Sequence, residues 1–356
     1  MFGGIARALL LSASLWASTS PSAAAAPGSD TAAVDSTASR TGGPRALRLR
    51  EVGSLAGDAA HPLVEPSGVL ADAFGRVWVS DASLHKLRRW QADGTPLDET
   101  GALGSEPTEF RRPGSLARVG SLGVAVLDVE NRRVSTYDHH LRLLTGAVEL
   151  GTSELEDLIG RVRPVSLAAD RGGALYVADA ERDRVLVFDY AGTFQRELGG
   201  FGERSGGFSG LSGVAVGARG TLVTVERPRL VTRRERRGAA AAPPAPASAD
   251  SAVARARVQW LDAGGRVLAT AWTPAWLAGP AEVSLAVAVD ASGRVAVAGE
   301  RSGELCVLSE KGELLARTSG LSAPRALAFA DDGTLLVAES GAGRVRRFAL
   351  EPAGGE

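Results

Sequence analysis

Carboxylates and cations recur in pairs along the chain, and these pairs are the residues best placed to do chemistry. Each acid closes a short apolar run and each base opens the next one, and four of the five pairs have the same spacing. The pairs are Asp81 and Lys86, Asp128 and Arg133, Asp179 and Arg184, Glu226 and Arg257, and Glu339 and Arg344. A carboxylate at a hairpin mouth accepts turn N–H groups, and an exposed cation across the hairpin adds about 0.2 to 1 kcal/mol. The pattern favours structural turn chemistry, with ligand binding by the same side chains as the alternative.

Residues that would support catalysis are sparse. The histidines are His61, His85, His139 and His140, and the chain has a single cysteine, Cys306. A zinc site needs several converging ligands, and adjacent residues on a strand point to opposite faces, which argues against the histidine pair as a chelate. No G-x-S-x-G elbow occurs. We therefore predict no catalytic residue, no metal site and no cofactor, and an enzyme is the less favoured interpretation.

The elements that must position these residues repeat six times. Apolar first strands are predicted at 68–72, 115–119, 166–170, 213–217, 285–290 and 326–331. A turn with a glycine follows each, and then a second strand that ends at the acid position. A third strand opens at the base position, and a fourth strand follows another turn. Four strands per repeat predict an all-β fold, a six-bladed β-propeller with four-stranded antiparallel blades.

The two ends of the repeat region complement each other. The last repeat stops after RVRRF (344–348), whereas ALRLREV (46–52) precedes the first repeat and belongs to none. Pairing this N-terminal strand with the last blade would close the ring and leave no incomplete edge.

The repeat resembles the NHL repeat. Its clearest copy is VADAERDRVLVFDYAGTFQRELGGFG (177–202), and the resemblance extends from Ala46 to Leu350. It implies that the turns between second and third strands share one face with the links between blades, and that this face binds ligands. Blade five departs from the pattern, because Gly299 and Glu304 stand where an acid and a base are expected.

Blade four carries an insertion between its acid and its base. Residues 227–256 begin with an arginine cluster and continue in Ala, Pro and Ser, which predicts a disordered surface loop. Its partner-docking candidates are Arg233, Arg234, Arg236 and Arg237. A charge run is more often only solvated.

Outside the propeller (45–352), the sequence predicts a signal peptide (1–26), a flexible leader (27–44) and a short tail (353–356). The first segment combines Arg7 with a short apolar core and an alanine run, so we expect export to the periplasm or the extracellular space. An uncleaved N-terminal anchor is the alternative. No later segment approaches the length of a membrane helix. Forty Lys and Arg against forty-one Asp and Glu argue against a nucleic-acid partner.

Three hypotheses for the function follow. The favoured one is a recognition scaffold that binds a protein, peptide or glycan at the channel face. The second is a metal-assisted lyase or hydrolase, because some six-bladed propellers with similar repeats are such enzymes. The third is a structural component of an envelope assembly that docks through the insertion and the propeller rim. The sequence leaves the oligomeric state open.

Overall fold

The computed structural model describes residues 46–58, 61–144, 148–231, 253–277, 279 and 281–353. The predicted signal peptide and leader, and the four arginines of the insertion, lie outside these residues. The tail does too, apart from Ala353. No helix among the described residues is long and apolar enough to cross a membrane.

The described strands form six four-stranded antiparallel sheets, which confirms the predicted blades. The first described strand is β1 (Leu47–Ala56). Blade one contains β2 (Pro66–Ala71), β3 (Val77–Asp81), β4 (Lys86–Trp90) and β5 (Pro96–Thr100). Blade two contains β6 (Pro113–Val119), β7 (Gly123–Asp128), β8 (Arg133–Tyr137) and β9 (Val148–Glu149). Blade three contains β10 (Pro164–Ala169), β11 (Leu175–Asp179), β12 (Arg184–Phe188) and β13 (Phe194–Gly199).

The remaining blades follow the same order, with one interruption. Blade four contains β14 (Leu211–Val216), β15 (Leu222–Glu226), β18 (Arg257–Leu261) and β19 (Val267–Trp272). Between its second and third strands lies a separate pair, β16 (Arg229–Val231) and β17 (Val253–Arg255). Blade five contains β20 (Leu285–Val289), β21 (Val295–Gly299), β22 (Leu305–Leu308) and β23 (Leu314–Thr318). Blade six contains β24 (Pro324–Phe329), β25 (Leu335–Glu339), β26 (Arg344–Pro352) and β1.

The blades close into a ring, so the fold is a six-bladed β-propeller. Each first strand contacts the first strand of the next blade, and β24 contacts β2. The first strands surround a central channel with a cavity of about 230 Å³. Strand β1 pairs antiparallel with β26 from Leu47 opposite Pro352 to Ala56 opposite Arg344, with a bulge near Gly53. The predicted closure by the N-terminal strand is therefore confirmed, and the strand is longer than 46–52.

The core lies between blades. Six apolar clusters each combine side chains from two neighbouring sheets. Because both sheet faces are covered, the second strands are buried along their whole length instead of alternating, as in β11 and β15. This burial explains their continuous apolar sequences.

Two segments differ from the expectation. The link between blades two and three contains a short helix, α1 (Ser153–Ile159), and the Thr152 side chain accepts a hydrogen bond from Leu155 N. The insertion in blade four is not a loop from end to end, because β16 and β17 form a hairpin stem in which Val231 is fully buried. The stem extends the hairpin of blade four before the segment that the structure does not describe.

Candidate functional site

The five predicted acids lie beneath the links that join successive blades. All five are buried, with at most 1% of their surface exposed. Asp81 accepts a hydrogen bond from Val64 N at 2.7 Å, Asp179 from Arg163 N at 2.9 Å and Glu226 from Ser209 N at 2.7 Å. Asp128 accepts from Arg111 N and Glu339 from Ser322 N. The turns between second and third strands therefore share one face with the links, which we call the link face.

Three of the predicted bases fix the links from the other side of the hairpin. Arg133 donates to three link carbonyls, those of Ser105, Glu106 and Glu109. Arg184 donates to Asp179 and to Ile159 O, both at under 3 Å. Arg257 pairs with Glu226 at 2.7 Å and also donates to Gly202 O and Gly207 O.

The other two predicted bases, Lys86 and Arg344, do not bind the links in this way. Arg344 pairs with Glu339 and is partly exposed. Lys86 forms its ion pair with Glu99 instead of Asp81, so the expected Asp81–Lys86 ion pair does not form. The expectation of exposed pairs is wrong for the acids and for Arg133, Arg184 and Arg257, all of which are buried. Contact of the ten side chains with a ligand stays a prediction.

In blade five, the second strand ends at Gly299, and the buried carboxylate comes from the link instead. Glu282, which belongs to the link, is only 6% exposed and accepts hydrogen bonds from Arg301 N and Ser302 N. A Cβ at Gly299 would lie 2.7 Å from its Oε2. The glycine at the acid position therefore leaves room for a carboxylate that comes from the link, and the spacing of the repeat could not reveal this.

The surroundings of Glu226 are typical of a carboxylate that stabilises the fold. Burial raises the pKa of Glu226 above its ordinary value, although hydrogen bonds from Arg257, Ser209 and Gln259 oppose the shift. A buried carboxylate with an arginine and two further donors is held in one position. The oxygen atoms of the Glu226 carboxylate therefore already accept hydrogen bonds from residues of the fold.

A second ring of residues surrounds the channel mouth on the link face. In every blade, the residue after the second strand donates its N–H to the carbonyl of the residue before the first strand. These bonds join Ala82 to Glu65, Val129 to Arg112, Ala180 to Arg163, Arg227 to Gly210, Glu300 to Ser284 and Ser340 to Ala323, at 2.8 to 3.2 Å. The side chains at these positions differ from blade to blade, because the shared backbone hydrogen bond does not require a particular residue.

We call six charged side chains at this level the mouth cluster. They are Glu65, Arg112, Arg163, Arg227, Glu300 and Arg325. Glu65 pairs with Arg112 at 3.1 Å and with Arg325 at 3.3 Å, and Arg325 pairs with Glu300 at 3.0 Å. Arg163 and Arg227 are exposed. Glu181 lies 3.6 Å from Arg163, so four arginines face three glutamates, and the mouth carries an excess of one positive charge.

Sequence reasoning missed the mouth cluster, because its residue types do not repeat from blade to blade. Its one sequence signal is proline: Glu65, Arg112 and Arg163 each precede the proline that starts a first strand. The residue before a proline is restricted to extended backbone. That restriction marks the position but not its function.

The channel itself offers little chemistry. The described residues that line it are mostly Ala, Val, Leu and Ser, and two of them are charged. Arg325 lies at the link-face end and Arg118 at the other end, where it pairs with Asp331 at 2.9 Å. The apolar walls leave the charged chemistry to the two mouths.

An outer set of large apolar side chains is exposed on the link face. Phe201 is 81% exposed, Leu158 68%, Leu103 67%, Leu230 63%, Val283 50% and Val64 46%. Five of them belong to five different links, and Leu230 belongs to the hairpin stem. We call this set the apolar rim.

The histidines and the cysteine do not form a site. The rings of His139 and His140 lie 4.1 Å apart in a turn, so the expectation that they face apart is wrong. Among the described residues, no three His, Cys, Asp or Glu side chains are grouped as metal ligands. Burial raises the pKa of the Cys306 thiol to about 12, which keeps it protonated and unreactive.

Comparison with known proteins supports the fold. The structure is similar to a gluconolactonase from Xanthomonas campestris, with 15% identity and a TM-score of 0.54 over 86% of this chain and 94% of that chain. It is also similar to a streptogramin B lyase, with 12% identity and a TM-score of 0.52 over 86% of this chain and 98% of that chain. No protein-family model and no curated protein matches the sequence. At these identities the similarity defines the class, a six-bladed β-propeller, and not an activity.

Proposed function

We propose that the protein is an exported recognition scaffold of the NHL-repeat kind, which binds a protein or peptide segment on its link face. One observation carries this proposal. The link face combines the apolar rim with a mouth cluster of excess positive charge.

The apolar rim favours a protein surface as the ligand. Scattered single apolar residues are normal on a surface, but here five links each expose one on the same face. A partner segment that lies across the links would remove these side chains from water, at about 25 cal/mol per Å² of apolar area. A glycan is less well matched, because Phe201 is the rim's one aromatic side chain on which a sugar ring would stack.

The mouth cluster sets the charge of the ligand. The side chain of Arg163 is 56% exposed and that of Arg112 is 43% exposed. An arginine guanidinium pairs with a carboxylate through two parallel hydrogen bonds. The proposal therefore calls for an acidic residue at the mouth, flanked by apolar residues that reach the rim.

The sequence-based alternatives have different requirements. A metal-assisted lyase or hydrolase needs a ligand set that the described residues do not gather. Stoichiometric zinc or calcium whose removal by a chelator abolishes a measured turnover would replace the scaffold by that enzyme.

Selection of random phage-displayed peptides on the immobilised protein tests the proposal. We expect enriched peptides with acidic and apolar residues, which bind Phe201→Glu at least about tenfold more weakly. Tyr190→Glu is the matched control, since Tyr190 is 83% exposed in a turn on the opposite face.

A charge reversal, Arg163→Glu, separates the two parts of the surface. It should weaken acidic peptides and leave neutral apolar peptides bound. Peptides that lose binding in Tyr190→Glu but not in Phe201→Glu would overturn the proposal, as would a selection that enriches no peptide.

A further inference from the structure

A groove between blades four and five opens on the face opposite the links, which carries the remaining turns. It has a cavity of about 420 Å³, within the range of small-molecule sites. Its walls include Val223, Trp260 and Leu268 from blade four and Val289 and Ala291 from blade five. We call it the 4/5 groove.

An arginine side chain crosses between the blades at three of the corresponding grooves. In each, the guanidinium of one blade donates to a carbonyl in the last turn of the next blade. Arg347 donates to Ala92 O at 2.7 Å, Arg196 donates to Ala263 O at 2.6 Å, and Arg89 donates to His139 O. These carbonyls occupy the same position of the turn, one residue after its start.

The 4/5 groove lacks this arginine. Arg89 and Arg347 are the fourth residues of their third strands, and Trp260 has that position in blade four. Arg196 lies opposite that position in blade three, where blade four has Ala269. The equivalent carbonyl, that of Glu310, therefore receives no guanidinium from blade four.

A second replacement widens the groove. The turns after the first strands of blades one, three and five start with Asp72, Asp170 and Asp290, whose carboxylates accept turn N–H groups. Blade four has Gly217 at this point, and it lines the groove. Ala269 and Gly217 thus stand at the positions where blade three has Arg196 and Asp170.

The edge of the groove carries one uncompensated charge. Arg219 of blade four pairs with Glu310 of blade five at 2.7 Å. Lys311, the residue after Glu310, is exposed and makes no ion pair with any residue that the structure describes. The indole N–H of Trp260 is buried without an acceptor in the described part of the chain, so a ligand acceptor that reaches it gains a hydrogen bond that folding leaves unmade.

We propose that the 4/5 groove binds a small apolar anion, an aromatic or short acyl molecule with one carboxylate or sulfonate. The apolar body lies against Val223, Trp260 and Val289, and the anionic group pairs with the Lys311 ammonium. This site is separate from the link face and does not depend on the proposed function of that face.

Anilinonaphthalene sulfonate, an apolar aromatic anion that fluoresces in apolar sites, is the probe for the test. We expect one equivalent to bind the folded protein. Ala269→Arg places an arginine where blade three has Arg196 and should weaken binding at least about tenfold. Ala291→Leu is a second groove-filling variant, and near-ultraviolet circular dichroism checks that each variant is folded.

The charge contribution is tested with Lys311→Gln. It should weaken the sulfonate probe by about two- to fivefold and leave the neutral phenylnaphthylamine unchanged. Arg142→Gln, in the corresponding turn of blade two, is the matched control. Unchanged probe binding in the folded groove-filling variants would overturn the site, and equal effects of Lys311→Gln on both probes would overturn its selectivity for anions.

Discussion

Glu282 and Gly299 show that the buried carboxylate of a blade can come from the link instead of the second strand. The carboxylate of Glu282 fills the space in which the second strand of each of the other five blades places an aspartate or glutamate. We predict that Gly299→Ala destabilises the protein by about 1 to 3 kcal/mol, because its Cβ would lie 2.8 Å from Leu277 O and displace the Glu282 carboxylate. Urea unfolding followed by circular dichroism measures the change.

Gly279→Ala is the control for this substitution. Gly279 lies in the same link, and a Cβ there would meet no atom within 4 Å. Its free energy of unfolding should stay within about 0.5 kcal/mol of the wild type. Equal effects of the two substitutions would show that Glu282 does not depend on the space at Gly299.

A turn carboxylate in blade two gives the stability a defined pH dependence. Although desolvation opposes the shift, hydrogen bonds from Arg142 N, His140 N and the Arg142 side chain lower the pKa of Asp138 to about 2 from 3.8. A pKa lowered by folding adds stability above the unfolded value and loses it as the pH falls. We predict that wild type exceeds Asp138→Asn in stability above pH 3.8, and that the difference shrinks toward pH 2.

Urea unfolding across this pH range measures the difference between the two proteins. A difference that stays constant or grows on acidification would contradict the prediction.

The turn of Asp138 also shows what could and could not be predicted from the sequence. Leu141 stands where four other blades have a turn glycine, and it too takes a positive φ, of 58°. The turn could be placed from the repeat, but not the ionic contacts of its side chains.

At the scale of elements, strands were predictable and their exceptions were not. The acid and base positions marked the ends of β11 and β12 because Asp179 and Arg184 are fixed by hydrogen-bonding roles that repeat. Helix α1 was missed, since seven residues within a link carry no repeat. Its signals were Thr152 as an N-cap and two glutamates in the first turn. The links vary because only a few backbone groups of each are required.

The hairpin stem of blade four permits a precise deletion. Val231 lies opposite Val253, so Asn-Gly in place of residues 232–252 can form a two-residue turn on an intact stem. We predict that the midpoint of thermal unfolding changes by less than about 2 °C. A larger loss would show that the removed segment contributes to the fold.

The same deletion tests the envelope hypothesis. A control variant keeps the segment and replaces Arg233, Arg234, Arg236 and Arg237 by glutamine. If the insertion is the docking element, a partner recovered from envelope extracts by the wild type should be lost from both variants. Recovery by both variants would remove the insertion from the docking hypothesis.

At the scale of the whole molecule, ring closure depends on one strand from the opposite end of the described chain. Leu55 of β1 is 4% exposed in the cluster between blades six and one. Leu47 and Leu49 pack against the cluster between blades five and six. Glu51 also pairs with Arg346 at 2.6 Å. Strand β1 therefore joins blade six to both of its neighbours, and a propeller without it would expose the whole edge of β26.

We predict that a chain starting at Gly57 unfolds at a lower temperature and associates into larger species than a chain starting at Ala46. The loss of three leucine contacts costs several kcal/mol of a total that is about 5 to 15 kcal/mol, and the bare edge of β26 favours pairing between molecules. Size-exclusion chromatography with light scattering and thermal unfolding compare the two chains. A synthetic peptide of residues 46–58 should restore the size and the midpoint of the longer chain by adding the strand in trans. An unchanged size and midpoint in the chain starting at Gly57 would mean that packing between blades, and not this strand, keeps the ring closed.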